Sequence, residues 1–297
     1  MLHEYREAGI RWDSHLDGTS NLHVDASRIR GSNVVFFADF SDEAEAFRQL
    51  AVIYAIPRLH AYSLTIVMPF FPFATQDRVH VQGDIAMARS VARMLEHTPP
   101  CHGTGPAKLV IYDIHATQEQ FFFGDSIVVD MRELPGEMMT NVGSMEVRAS
   151  RIIAVPDAGA RSRFGRRVNI SITCEKTRHP YDSGRRDIKI IEGDPSGRHV
   201  LLIDDLIQTG GTLIAATDKL LEAGALSVSA YATHAILPGK AMQRLRDSML
   251  SEIAVTDTNP RGVTRFLSGH LEGPAHTVIS MRDLYRNLLK EIEQFQR

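Results

Sequence analysis

Residues 199–212 read HVLLIDDLIQTGGT, and the reading of this stretch organises the rest of the chain. Val200, Leu201, Leu202 and Ile203 form a short apolar run, the pattern of a strand buried on both faces of a parallel sheet. Two carboxylates, Asp204 and Asp205, follow at once. Gly210 and Gly211, bracketed by Thr209 and Thr212, then open onto an Ala/Leu-rich helical pattern. A small-residue loop at a helix start presents backbone N–H groups with the positive end of the helix dipole behind them. That is a phosphate cradle, and paired aspartates beside it suit sugar hydroxyls or a magnesium-bound ligand. A phosphosugar needs all of these parts together. An Asp-Asp or a Gly-Gly alone marks an ordinary strand–loop–helix connection, so the joint spacing carries the signal. No lysine follows the second glycine, which separates this loop from the Walker type.

The chain has 297 residues, a length that suggests two domains. Its 43% hydrophobic and 23% charged content fits a globular protein with a substantial core. A net charge of −3 gives no reason to expect nucleic acid or an anionic membrane as partner. Two cysteines, Cys101 and Cys174, offer no disulfide framework and point to a reducing compartment. No run approaches the roughly 18–20 apolar residues that span a bilayer. The opening MLHEYREAGIRW lacks the apolar segment of a signal peptide. The expectation is a cytoplasmic protein.

Residues 1–30 read as loops or short strands. VVFFADF (34–40) reads as a strand and DEAEAFRQLAVIYAIPRLHA (42–61) as a helix starting at Ser41, Asp42 and Glu43. Pro57 argues for a break or kink at Ile56. LTIVMPFF (64–71) is a strand, residues 72–84 a polar excursion, and IAMARSVARMLEH (85–97) a helix. After a loop at 98–108, LVIYDIHA (109–116) is a strand ending in carboxylate and imidazole. The alternation of strands and helices predicts an α/β half with a mostly parallel sheet.

The logic then repeats. RIIAVPDAGA (151–160) reads as a strand ending at Asp157, RSRFGRRV (161–168) as a helix, and ISITCEKTR (170–178) as a strand. Residues 179–187 read as a charged loop, and IKIIEGDPSGR (188–198) as a strand and tight turn. The helix TLIAATDKLLEAGA (212–225) has Gly224 at a natural C-cap. Strands at 228–237, 252–260 and 276–281 and helices at 241–248 and 283–295 complete the chain. The predicted organisation is an N-terminal domain over 1–146, joined by the tail helix 283–297, and a C-terminal domain over 147–282. A linker is expected near 131–146.

At this point the chain resembles the ribose-phosphate diphosphokinases (phosphoribosyl pyrophosphate synthetases), most of all their plant-type second class. The segments that carry the resemblance are MPFFPFATQDR (68–78), VIYDIHATQEQFF (110–122), VPDAGA (155–160), CEKTR (174–178), LLIDDLIQTGGT (201–212) and AYATHAIL (230–237). They stand in the family's order at fitting spacings, over roughly residues 30–260. The resemblance implies two related phosphoribosyltransferase-like α/β domains, each a mostly parallel sheet flanked by helices. It also implies transfer of the diphosphoryl group of Mg–ATP to ribose 5-phosphate, with Mg²⁺ as cofactor.

Residue by residue, the resemblance implies that Asp204, Asp205, Gln208, Thr209, Gly210, Gly211 and Thr212 bind ribose 5-phosphate. Gln76, Asp77, Arg78 and His115 match ATP contacts, and Asp113, His115 and Asp157 match metal-site residues. An isolated histidine at 115 reads first as a hydrogen-bonded core residue. Its placement two residues beyond Asp113 would put both side chains on one side of an extended strand. Lys176 and Arg178 match the family's catalytic lysine and arginine; by composition alone, they lead from a strand into a solvated basic loop with Gly184, Arg185 and Arg186. As a mobile arm, the segment would bring cations to the spreading charge of a phosphoryl transfer. Thr75 and Gln208 depart from the first-class pattern. Asp17 is similar to a nucleotide contact given by a neighbouring subunit, and the family resemblance implies a homo-oligomer built from dimers, up to a hexamer. Two other activities fit the cradle: a nucleobase phosphoribosyltransferase and a non-catalytic regulatory relative. The first leaves MPFFPFATQDR unused, and the second would be expected to have lost key charges.

Overall fold

The computed structural model describes residues 5–79, 81–179, 182–268 and 273–295, with side chains described for all of these except 177–187 and 295. Contacts group the chain into two units, Met1–Glu133 and Leu134–Arg297.

The first unit opens with an antiparallel hairpin of β1 (Ile10–Ser14) and β2 (Ser20–Val24). Its turn is closed by Asp17, whose Oδ1 accepts from the N–H and hydroxyl of Thr19 at 2.9 and 2.6 Å. A short helix α1 (Ala26–Ile29) leads to β3 (Asn33–Phe37). Helix α2 (Glu43–Arg58) is capped by Asp42, whose carboxylate accepts from the Glu45 N–H at 3.0 Å. The expected break at Ile56 does not occur. Pro57 is the second-last residue of the helix, so the N–H it lacks costs one bond at the end of the helix rather than in its middle, and the buried Val52, Ile53 and Ile56 hold that turn in the core.

Strand β4 (Ser63–Met68), helix α3 (Met87–Glu96), strand β5 (Ala107–Tyr112), a 3₁₀ turn over Thr117–Phe122 and strand β6 (Ile127–Arg132) complete this unit. The sheet order is β3-β4-β5-β6, parallel throughout. Every residue of β4 is buried, as expected for an interior parallel strand. Strand β6 was not legible in the sequence: its residues alternate less cleanly, and it is an edge strand with partly exposed positions.

In the second unit, α4 (Gly136–Thr140) and α5 (Met145–Ser150) occupy the stretch that reads as a linker. Strand β7 (Ile152–Val155) stops earlier than expected, and α6 (Ala158–Phe164) begins immediately after Asp157. The reason is local. Asp157 Oδ1 accepts from the Ala160 N–H at 2.8 Å and so starts the helix.

Strands β8 (Ile170–His179) and β9 (Asp182–Glu192) form an antiparallel hairpin, so most of the expected charged loop at 179–187 is strand. Strand β10 (His199–Ile207), α7 (Gly211–Glu222), β11 (Ser227–Ala235), α8 (Ala241–Arg246), β12 (Glu252–Thr256), α9 (Pro260–Ser268), β13 (Ala275–Ile279) and α10 (Arg282–Phe295) follow.

The second sheet runs β13-β12-β11-β10-β7-β8-β9, parallel except for the β8–β9 edge. Helix α7 ends as its glycine predicts: Gly224 has φ +92, Gly224 N–H donates to Leu221 and Ala225 N–H to Leu220. The tail helix was expected to join the first domain and the boundary to lie near 146. Instead α10 groups with the second unit, and the division falls after Glu133. Asp257, just beyond β12, accepts from Met281 N–H at 2.7 Å and from the Ser280 hydroxyl at 3.0 Å, tying the start of α10 to this sheet.

Candidate functional site

Ligands of open parallel sheets gather beyond the carboxyl ends of the strands, and in the second unit three neighbouring strands deliver chemistry there. Strand β10 pairs with β7 over Val200–Leu202, then continues past it with β11 alone as its strand neighbour. Asp204 and Asp205 thus lie within β10 rather than beyond it, a correction to the sequence reading. Asp157 follows the end of β7, and Lys176 lies on β8 three residues past the Val155–Thr173 pairing.

Downstream of β10, Gln208 is exposed, Thr209 half-buried and Gly210 buried. Gly210 is the N-cap of α7 with φ +77 and has no side chain to cover the first N–H groups. No acidic residue stands in the first turn of this 12-residue helix, where Gly211 and Thr212 lie. The loop keeps the geometry of an anion cradle.

A residue not singled out in the sequence completes this cluster. Arg163, in the last turn of α6, places Nη2 2.7 Å from Asp205 Oδ1 and 3.9 Å from Asp204 Oδ1. Asp205 is nearly fully buried. Burial pushes the Asp204 carboxyl well above the ordinary carboxylate range, the neighbouring Asp205 charge pushes it further, and Arg163 opposes both. Nothing in its spacing marks Arg163 beforehand, because its partner carboxylate lies 42 residues away in sequence.

Lys176 pairs across the hairpin with Ile188, and Arg178 with Arg186. The Arg178 side chain and those of 177–187 lie outside the described residues. Lys176 stands midway along the hairpin, on the strand adjoining β7.

The nucleotide-matching residues all belong to the first unit. Arg78 donates to Asp77 in a two-pronged pair, Nε to Oδ1 at 2.9 Å and Nη2 to Oδ2 at 2.8 Å. That pairing holds the Asp77 carboxyl below its usual range, with a smaller contribution from the His115 imidazole. Gln76 is exposed, with its N–H bonded to the Phe73 carbonyl. Asp113 follows the end of β5, buried, with φ +39 and its N–H donating to Arg132. Because the strand ends at Tyr112 and the backbone turns at Asp113, the two-residue alternation invoked for Asp113 and His115 does not apply.

Among the described residues, no three His, Cys, Asp or Glu side chains converge as a metal cage. Magnesium does not need one: it keeps several waters and commonly uses one or two carboxylates plus substrate phosphate oxygens. The carboxylates of Asp113 and Asp157, each within its own unit, are oxygen donors of the kind magnesium takes, whereas the His115 imidazole suits softer metals. The cap made by Asp157 engages Oδ1.

Two α/β units with mainly parallel sheets, one carrying an acidic strand end followed by a glycine turn and helix, define a protein of the phosphoribosyltransferase fold type. Residues 8–98 match the N-terminal domain of ribose phosphate pyrophosphokinase, and residues 166–277 match the phosphoribosyl synthetase-associated domain. Ribose-phosphate pyrophosphokinase 4 of Arabidopsis thaliana is 38% identical over 86% of this chain and 77% of its own length. The chloroplastic ribose-phosphate pyrophosphokinase 3 of Oryza sativa is 40% identical over 84% of this chain. This chain spans 63% of that relative's length. The crystal structure of phosphoribosylpyrophosphate synthetase from Mycobacterium smegmatis superposes with a TM-score of 0.77 at 26% identity, covering 97% of this chain and 91% of the other. The chain belongs to the ribose-phosphate pyrophosphokinase family, with plant members among its relatives, as the sequence resemblance implied.

Proposed function

We propose that the protein makes 5-phosphoribosyl 1-diphosphate and AMP from ATP and ribose 5-phosphate. The observation that carries this reading is the family membership joined to the carboxylate pair and open helix start on β10 and α7. In the reaction the anomeric O1 hydroxyl attacks the β-phosphorus, the bond from that phosphorus to the α,β-bridging oxygen breaks, and AMP leaves with the bond's electrons. The hydroxyl proton passes to solvent or to a nearby base.

Each residue group has a task in this scheme. The N–H groups and hydroxyls of Thr209, Gly210, Gly211 and Thr212 hold the sugar 5-phosphate, with Gln208 beside them. Asp204 and Asp205 accept hydrogen bonds from the ribose hydroxyls. Gln76, Asp77, Arg78 and His115 bind ATP, and Asp113, His115 and Asp157 orient its magnesium. Mg²⁺, when bound, neutralises charge on the diphosphate. Lys176 and Arg178 stabilise the charge that spreads over the transferring group. A homo-oligomer built from dimers is part of the proposal, to be measured by light scattering. The cytoplasm is its proposed location, in keeping with the two buried free cysteines. Among the described residues no helix is long and apolar enough to cross a membrane.

The test is mass-resolved detection of AMP formed from Mg–ATP, with and without ribose 5-phosphate. AMP and phosphoribosyl diphosphate should appear in equal amounts and only with the sugar. A protein that binds both substrates and releases no AMP would overturn the reading.

A further inference from the structure

We propose that Arg163 is a positioning residue for the sugar, holding Asp204 and Asp205 in the orientation that receives the vicinal hydroxyls of ribose 5-phosphate. The inference rests on the function proposed above. Two consecutive carboxylates on an interior strand repel one another and lose hydration. Left alone, one would take up a proton and with it give up acceptor capacity that a diol requires. A guanidinium cannot be neutralised at any ordinary pH, and its planar fork fixes direction as well as charge. Arg163 opposes that proton uptake and supplies the direction, at 2.7 Å from Asp205 and 3.9 Å from Asp204.

The arginine is itself held firmly. Helix α6 is capped by Asp157 at one end, and the neighbouring Phe164 is fully buried at the other. Arg167 Nη2 donates to the Arg163 carbonyl at 3.4 Å, and its Nη1 to the Leu134 carbonyl at 3.1 Å. The small residue at 159 matters too: a Cβ there would lie 3.1 Å from Asp157 Oδ1 and 3.9 Å from Arg163 Nη1. One short helix therefore sets both the carboxylate after β7 and the cation that faces the β10 pair.

The experiment compares the full-length wild type with Arg163→Met and Arg163→Lys by calorimetric titration of ribose 5-phosphate, 2-deoxyribose 5-phosphate and inorganic phosphate. Hydrogen bonds to charged groups are worth enough that Arg163→Met should weaken ribose 5-phosphate about tenfold or more. The 2-deoxy sugar should lose less and inorganic phosphate nothing, while Arg163→Lys recovers part of the loss. In turnover, KM for ribose 5-phosphate should rise with kcat and the KM for ATP little changed. Equal weakening of all three ligands would mean that α6 had merely loosened, and no weakening would mean that the ion pair is incidental; either overturns the proposal. If Arg163→Met fails to fold, the comparison of Arg163→Lys with wild type across the same ligands decides it. A wild type that binds ribose 5-phosphate yet makes no AMP sinks the enzymatic reading and leaves the binding comparison decisive for Arg163.

Discussion

Gly210 packs against Leu245 so closely that a Cβ on the glycine would stand 2.9 Å from Leu245 Cδ2. Leu245 is fully buried, and Gly210 has φ +77, so both the space and the backbone demand glycine. Gly210→Ala should cost about 1–2 kcal/mol through the left-handed backbone alone, plus whatever Leu245 must yield. Urea unfolding measures that loss. Ribose 5-phosphate binding should weaken in parallel, because the loop that shifts is the phosphate cradle. Unchanged stability would show that the cradle does not depend on this contact.

Lys176 sits on β8 beside the end of β7 and is proposed to meet charge that develops during transfer. Removing one such group typically costs about 10²–10³-fold in kcat. Lys176→Ala should show that loss with an unaltered far-ultraviolet circular dichroism spectrum and thermal midpoint. A variant with near-normal turnover would remove Lys176 from the catalytic group.

Asp204 places stability and function in opposition. A carboxyl whose pKa is raised on folding binds its proton more tightly in the folded state. It therefore destabilises the fold above the ordinary carboxylate range, and the penalty fades as pH falls through the raised value toward about 4. Burial and the Asp205 charge raise Asp204 in this way. Asp204→Asn should thus melt at a higher temperature than wild type at neutral pH, with the gap closing on acidification. The same variant should bind ribose 5-phosphate about tenfold or more weakly, having lost a charged acceptor. Scanning calorimetry from pH 4 to pH 8 and a sugar titration check both halves.

Asp257 makes two hydrogen bonds to the start of α10, at 2.7 and 3.0 Å. Asp257→Ala should cost about 1 kcal/mol per bond lost. Amide exchange over 282–295 should accelerate more than exchange in β10. Uniform acceleration across the unit would indicate a general loss of stability instead.

Much of this was legible beforehand because the interior strands advertise themselves. The segments 64–68, 109–112, 200–203 and 228–235 are apolar enough to be read without tertiary context, since a parallel strand covered on both faces has little room for polar side chains. Edge and hairpin elements were legible only in part: 170–178 and the 188–192 end of β9 read as strand, whereas β6 and residues 182–187 did not. Strands β6 and β9 carry Asp130, Arg132 and Asp187 among their residues, and backbone pairing to a neighbour rather than apolar pattern makes them strands. The capped start of α6 was missed for a similar reason: Asp157 was read as a strand end, whereas its carboxylate starts a helix.

Residue type and spacing along the chain suffice for the strand–helix alternation, the acidic pair followed by a glycine turn, and the family these belong to. That Asp204 and Asp205 lie inside β10, that Arg163 faces them from α6, and that α10 groups with the second unit are visible in the packed fold and not before. Those facts depend on which strands lie side by side and on which charges meet after burial. A guanidinium 42 residues away in sequence becomes the partner of a carboxylate only when the β7–α6 and β10 segments are brought together.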